Sequence, residues 1–329
     1  MINRIAAMLA MGAGTGAFPA PASAESPAFA VERRDGALAI TRNGRPVADY
    51  VFRDARIPRP YFARLHAPDG TPVTRSHPPV PGTDPMDHDT IHPGLWLAFG
   101  DLNGVDFWRN RGRIEHVRFA AEPAADSGRL SFAAEERYLA PGGKKEVCRG
   151  TSAFRFVEGA SFQPPLPGTV LFLRVELRPQ GEPLTFGPQH EMGLGVRVAT
   201  PLLAKGGGGS IVGSHGGRNE AGNWGRAGTW WDYAGAVGGR HAGILLLADA
   251  GNPRPVWAHA RDYGFLALNP TGPPAKPIDS EPSVPFTVPP DETLSMKFAV
   301  LMHAQPASEP WDAAAAARAA AAALAAWTP

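Results

Sequence analysis

His88 and His92 stand four residues apart in DHDTIHPGLWLAFGDLNGVDFWRNRGRIEH (87–116), a stretch that mixes imidazoles, carboxylates, guanidinium groups and two indoles. Groups of that polarity are costly to bury without partners, so the stretch is expected to line a cleft rather than fill a core. A four-residue His spacing suits a metal on a helix, but Pro85 and Pro93 flank the pair and no HExxH glutamate accompanies it. Hydrogen bonding or acid–base work is the expected chemistry, because imidazole titrates close to neutral pH. From Trp96 to Trp108 the run carries Asp101, Asn103, Gly104 and Asp106. Carboxylates and an amide beside indoles suit a sugar, whose hydroxyls need polar partners while its C–H face stacks on a ring. The same oxygens could ligate calcium, although the glutamate that closes an EF-hand loop is missing, and Asn103-Gly104 also has the form of a hairpin turn.

Three further clusters join this one. QHEMGLGVR (189–197) holds His190, Glu191 and Arg197 around Gly193 and Gly195; a carboxylate beside an imidazole can act as a general base or form an ordinary ion pair. SHGGRNEAGNWGRAGTWWDYA (214–234) adds Asn219, Glu220, Trp224, Trp231 and Asp232, with Trp231 expected as a core anchor. Asn252 and Arg254 precede a strand at 257–261 in which Trp257, His259 and Arg261 point to one side, either as a stacking surface with a cation or as a network bracing loops. The acid–base candidates are therefore His88, His92, Glu191 and His303. The binding candidates are Trp96, Asp101, Asp106, Arg197, Asn219, Asp232, Asn252, Arg254, Trp257 and Arg261. No cofactor is expected, and a divalent metal stays open as a secondary option. A G-x-S-x-G elbow, a P-loop and a dinucleotide fingerprint are all missing, which argues against a serine hydrolase and against nucleotide cofactors.

The elements that must hold these groups are short strands. Glycine and proline total 73 of 329 residues and punctuate the chain too often for long helices before its end. Strand-like runs fall at 37–41, 47–52, 60–65, 94–99, 114–120, 129–138, 147–157, 169–177, 192–198, 229–234, 242–248, 255–260, 263–268 and 293–303. Alternation is clearest at 169–177 and 294–303, where Leu171, Leu173, Val175 and Leu177, and Met296, Phe298, Val300 and Met302, share a face. His303 then falls on the opposite, wetter face. The fold class implied is all-β, a large antiparallel β-sandwich over 25–310. KGGGGS (205–210) and the proline-rich 270–290 read as loops. The tail 311–329 is Ala-rich, a short C-terminal helix capped by Asp312, expected to pack only through Leu324 and Trp327 and to fray.

Residues 1–24 read as a signal peptide: Arg4 is their only charge, the apolar run is too short to span a bilayer, and Ala22-Ser23-Ala24 is a cleavage pattern. The expected location is periplasmic or secreted. No later segment resembles a membrane span, and a formal net charge of +1 with no basic cluster argues against nucleic acid. Cys148 is the single cysteine, so no intrachain disulfide can form. Arg outnumbers Lys 27 to 5, which favours bidentate recognition of oxygen-rich ligands or reflects genomic base composition.

RPYFARLHAPDG (59–70), DHDTIHPGLWLAFGDLNGVDFW (87–108), GRIEH (112–116), EMGLGVRVATP (191–201), GGRNE (216–220) with WWDY (230–233), and NPR followed by HARDYG (252–264) together resemble a bacterial family of unknown function. That family carries the label "methane oxygenase PmoA", which is not an activity. The chain departs from the tighter DHPHHRGLW string of many relatives, with Asp89, Thr90 and Ile91 between the two histidines. The resemblance implies an exported, galactose-mutarotase-like sandwich and brings no established catalytic residues. The expectation is a carbohydrate-active protein with a small-molecule or oligosaccharide ligand, acting by His/Glu chemistry in hydrolysis, elimination or mutarotation. The rival expectations are a non-catalytic sugar-binding module, with aromatics and arginines at one rim and His and Glu scattered, and a structural exported protein.

Overall fold

Alternating apolar residues generate the strands, and antiparallel pairing assembles them into two large sheets. The computed structural model describes Met1 and residues 29–126, 128–271 and 284–328. The export signal therefore lies outside the described residues apart from Met1, as does 272–283 of the proline-rich stretch. In chain order the strands begin with β1 (Phe29–Arg34), β2 (Ala37–Arg42), β3 (Arg45–Val51), β4 (Tyr61–Ala63), β5 (Leu95–Phe99), β6 (Arg113–Asp126), β7 (Arg129–Leu139), β8 (Glu146–Glu158) and β9 (Gly168–Pro179). They continue with β10 (Leu184–Phe186), β11 (Met192–Arg197), β12 (Gly209–Gly213), β13 (Trp230–Val237), β14 (Arg240–Ala248), β15 (Trp257–Arg261), β16 (Phe265–Asn269), β17 (Phe286–Val288) and β18 (Leu294–Pro306). The first sheet runs β1-β2-β3-β4-β5-β11-β16-β15, the second β12-β13-β14-β18-β9-β8-β7-β6, and β10 pairs with β17 in a small ribbon.

The core lies between the large sheets. Leu171, Leu173, Val175 and Leu177 of β9 and Met296, Phe298, Val300 and Met302 of β18 are buried in one cluster with Leu95, Phe99, Leu194 and Val196 of the first sheet. Tyr50 of β3 bridges the layers, its ring 5.2 Å from Phe132 and 5.1 Å from Phe154. Asn43-Gly44, with φ of 51° and 74°, turns the chain tightly from β2 into β3. Cys148 is buried, and burial pushes its thiol well above the usual range.

Two helices are present among the described residues, α1 (Asn219–Asn223) and α2 (Ala313–Ala326). Asp312 caps α2 by accepting from the Ala315 amide at 2.9 Å. The expectation that α2 packs only through its two large residues needs correction. Ala316, Ala317 and Ala320 are buried with Leu324 and Trp327 against Phe172, Leu245 and Leu301 on the outer face of the second sheet. Methyl side chains let the helix axis come close, so an alanine ridge buries a whole face of both partners. Among the described residues no helix is long and apolar enough to cross a membrane.

Candidate functional site

The outer face of the first sheet is built from β5, β11, β16 and β15. Register sets Trp96, Gly195, Ala267 and His259 in one row across the four strands, and Arg197, Phe265 and Arg261 in the next. These residues alternate with Leu95, Leu97, Leu194, Val196, Leu266 and Leu268 and so lie on the opposite face of the sheet, where Trp96, Phe265 and Ala267 are themselves buried. Gly195 is required by its indole neighbours: a Cβ there would come 2.7 Å from both Trp96 and Trp108.

The loop at 84–93 lies over this face and is pinned by two buried arginines. Arg75 donates to the carbonyls of Pro85 (2.8 Å), Asp87 (2.7 Å) and His92 (3.1 Å). Arg59 donates to Trp108 (3.0 Å) and Ile91 (2.6 Å) and also meets Asn110. Burial depresses both guanidinium groups, Arg59 to about 9 and Arg75, with Arg197 nearby, to about 10. Neither arginine was singled out from the sequence; Arg59 opens the RPYFARLH motif, and that was the available signal.

His92 is 1% exposed, its ring stacked on Phe265 (4.7 Å), His88 (4.8 Å) and Trp96 (5.0 Å). Burial, and then the neighbouring His88, Arg197, Arg59 and Arg75, hold it well below the usual imidazole range. A neutral ring sealed in such a stack stiffens the site and is not open to a ligand. His88 is the exposed imidazole of the pair: its Nδ1 meets Asp87 at 2.7 Å and its ring lies parallel to Tyr263. Asp87 is also gripped by both terminal nitrogens of the buried Arg197, at 3.0 and 2.8 Å, and the Arg197 guanidinium sits 4.7 Å from the Tyr263 ring.

Beside this half stands Glu191, just before β11. Arg109 pairs with its carboxylate and with Asp106, which also accepts the Arg109 amide at 2.8 Å. Burial raises the Glu191 pKa above the usual carboxylate value, against the opposing pull of Arg109. The His190 ring meets the His259 ring edge-on at 4.8 Å, and His259 stacks on Trp224 at 5.4 Å. Arg261 lies 3.4 Å over the Trp224 ring, donates from Nε to His259 Nε2 at 3.1 Å and from Nη1 to Glu220 at 2.7 Å. His88 on one side and Arg261 on the other both act on the Glu191 carboxylate through their charge.

Among the described residues, His190, Glu191 and His259 form the grouping with ligand-type atoms close enough for a metal, all within 4.8 Å of one another. Burial lowers both imidazoles, His259 to about 2, so their lone pairs are free of protons. Arg109 on Glu191 and Arg261 on His259 already engage two of the three donors and oppose a cation.

Other candidates lie apart. Asp101 accepts the Gly104 amide at 3.0 Å, and Asn103 exchanges bonds with Thr185 and Pro183, so this segment is the turn and its oxygens do not converge on calcium. Asn219 bonds the Ile211 amide, and Asn252 bonds both backbone groups of Lys297. Arg254 braces the carbonyls of Thr271 and Val284 and lies over Phe286. Trp257 shares the outward side of β15 with His259 and Arg261 and is half-buried. His303 is the clearest correction: it is fully buried, bonded to Asp232 at 2.9 Å and stacked on Trp311 at 4.1 Å. The face of β18 that looked wet from alternation is covered by α2 and the segment leading into it.

A family model described as "Family of unknown function (DUF6807)" matches residues 37–321. No curated protein matches the chain.

Proposed function

We propose that this chain, which belongs to that family of unknown function, is an exported carbohydrate-active enzyme working on a glycoside or oxidised sugar by acid–base chemistry. The observation that carries the reading is Glu191: a half-buried carboxylate of raised pKa, set among His190, His259 and the field of His88 on one outer face. A base with its pKa lifted toward neutrality takes protons more effectively than an ordinary surface carboxylate. Glu191 is the base, and exposed His88, held by Asp87, is the acid or hydrogen-bond donor in place of sealed His92. Arg109 and Arg261 offer donors to a sugar's hydroxyl or carboxylate oxygens.

A binding module requires no such convergence of carboxylate and imidazoles, so their grouping favours the enzyme. The resemblance to galactose-mutarotase-like sandwiches supports the sugar class, and the leader read at 1–24 supports a periplasmic or secreted setting. The test is a panel of glycosides and keto-sugars followed by NMR with the parent and Glu191→Gln. The variant is expected to lose turnover by about 100-fold or more while keeping its fold. Parental turnover by Glu191→Gln on every converted substrate would remove Glu191 from the chemistry, and no conversion of any sugar would overturn the reading.

A further inference from the structure

Arginines collect where the edge of the second sheet meets the segment that follows β3. The Ile114 amide of β6 donates to the Pro58 carbonyl at 2.8 Å and ties the two together. Beside that junction lie two clefts, of about 340 and 500 Å³, which share Pro58, Asn110 and Arg113 in their walls. Both fall in the range of about 300–1,000 Å³ in which proteins hold small organic ligands. Arg53, Arg56 and Arg59 line the smaller cleft and Arg111 the larger, so with Arg113 five guanidinium groups stand against two carboxylates, Asp54 and Glu115. The whole chain has a formal net charge of only +1, so the excess is local.

Both carboxylates are engaged. Asp54 accepts from the amides of Arg56 (2.6 Å) and Ile57 (3.0 Å) and from the Tyr61 hydroxyl (2.7 Å), and Glu115 lies 3.8 Å from Arg137. Arg56 pairs with Asp89 at 2.6 Å. Arg53, Arg111 and Arg113 are exposed and, among the described residues, have no carboxylate partner. Buried Arg59 gives its terminal nitrogens to carbonyls and to Asn110, so no carboxylate cancels its charge in the wall. Like charges on low-dielectric walls focus their field into a cleft. Gly142 and Gly143 border the larger cleft, and a Cβ on either would meet nothing within 4 Å, so this side is open to a ligand.

We infer that the paired clefts bind a uronic, carboxylate-bearing oligosaccharide. Resting on the sugar reading above, this narrows the ligand to acidic glycans. A guanidinium fork meets a planar carboxylate through two parallel hydrogen bonds, and clefts that share Arg113 suit a chain bearing successive carboxylates. Arg109 pairs with Glu191 while its neighbours Asn110, Arg111 and Gly112 line the clefts, so one loop borders both sites.

The experiment is calorimetric titration with an oligogalacturonate, a neutral oligosaccharide of the same length, and poly-aspartate of the same charge. The parent is expected to bind the oligogalacturonate about tenfold or more tighter than either of the others. Arg111→Gln and Arg113→Gln are each expected to weaken that binding about tenfold, and Arg318→Gln, an exposed arginine on α2, to leave it unchanged. Circular dichroism confirms that the variants fold. Equal affinity for the neutral sugar or for poly-aspartate, or parental affinity in both folded cleft variants, overturns the inference. Conversion of sugars without oligogalacturonate binding overturns it and leaves the enzyme reading standing. Oligogalacturonate binding that both cleft variants weaken, with no sugar converted, upholds the clefts and overturns the enzyme reading alone.

Discussion

Glu136 on β7 faces the interior in phase with Phe132 and Tyr138, and its stability effect can be worked out in advance. It is 5% exposed, accepts from Ser152 Oγ at 3.0 Å, and borders a small cavity shared with Tyr50 and Tyr138. Burial outweighs the Ser152 bond and lifts its carboxyl from the usual 4.5 to about 7. The folded protein therefore binds this proton more tightly than the unfolded chain. The stability it contributes is fully present below about pH 4.5 and is lost as pH rises through about 7. A difference of about 2.5 pH units at 1.36 kcal/mol each amounts to about 3 kcal/mol. Glu136→Gln keeps the shape and an acceptor for Ser152 and cannot ionise. Against the parent it is expected to gain about 3 kcal/mol at pH 8, near 5 °C in Tm, and about nothing at pH 4.5. Urea unfolding of both proteins at a series of pH values between these limits measures the difference, in which other carboxylates cancel. Stability curves that run parallel with pH would refute the argument, because the carboxyl would then be ionising normally.

Three other outcomes follow from the same structure. Asp232→Asn weakens the partner of His303 and Trp311, so it is expected to cost about 1–3 kcal/mol and to speed proteolytic release of α2, with sugar turnover retained; an unchanged cleavage rate would count against this latch. Gly195→Ala drives a methyl into Trp96 and Trp108, and is expected to destabilise by about 1–3 kcal/mol and blunt indole fluorescence differences on ligand addition; calorimetry and fluorescence check both effects. Glu191 must be ionised to act as a base, so kcat/KM should fall as pH drops through its raised pKa, with the break above the usual 4.5 and absent in Glu191→Gln.

Much of the fold was legible because strand signals are local. The alternating runs at 169–177 and 294–303 fall within β9 and β18, and Asn103-Gly104 forms the turn its residues suggest. β12 starts in the last two residues of KGGGGS and was missed because glycine carries no strand signal; pairing with β13 from Gly209↔Gly235 onward supplies the order. β1, β10 and β17 were also unread, the last two being three-residue strands that pair with each other. Of the site candidates, His88, Glu191, Arg197 and Arg261 meet on one face, whereas Asn252, Arg254, Asp232 and His303 serve structure elsewhere.

Residue type and spacing alone determined the all-β class, the outward side shared by Trp257, His259 and Arg261, and the capped alanine helix, because each depends on neighbours a few positions away. Only the tertiary structure decided which faces were covered and which titratable groups shared a field. α2 seals His303, the stack with Trp96 and Phe265 seals His92, and Arg261 sets the tautomer of His259. Desolvation and nearby charge set a proton's place, and both come from residues distant in the chain.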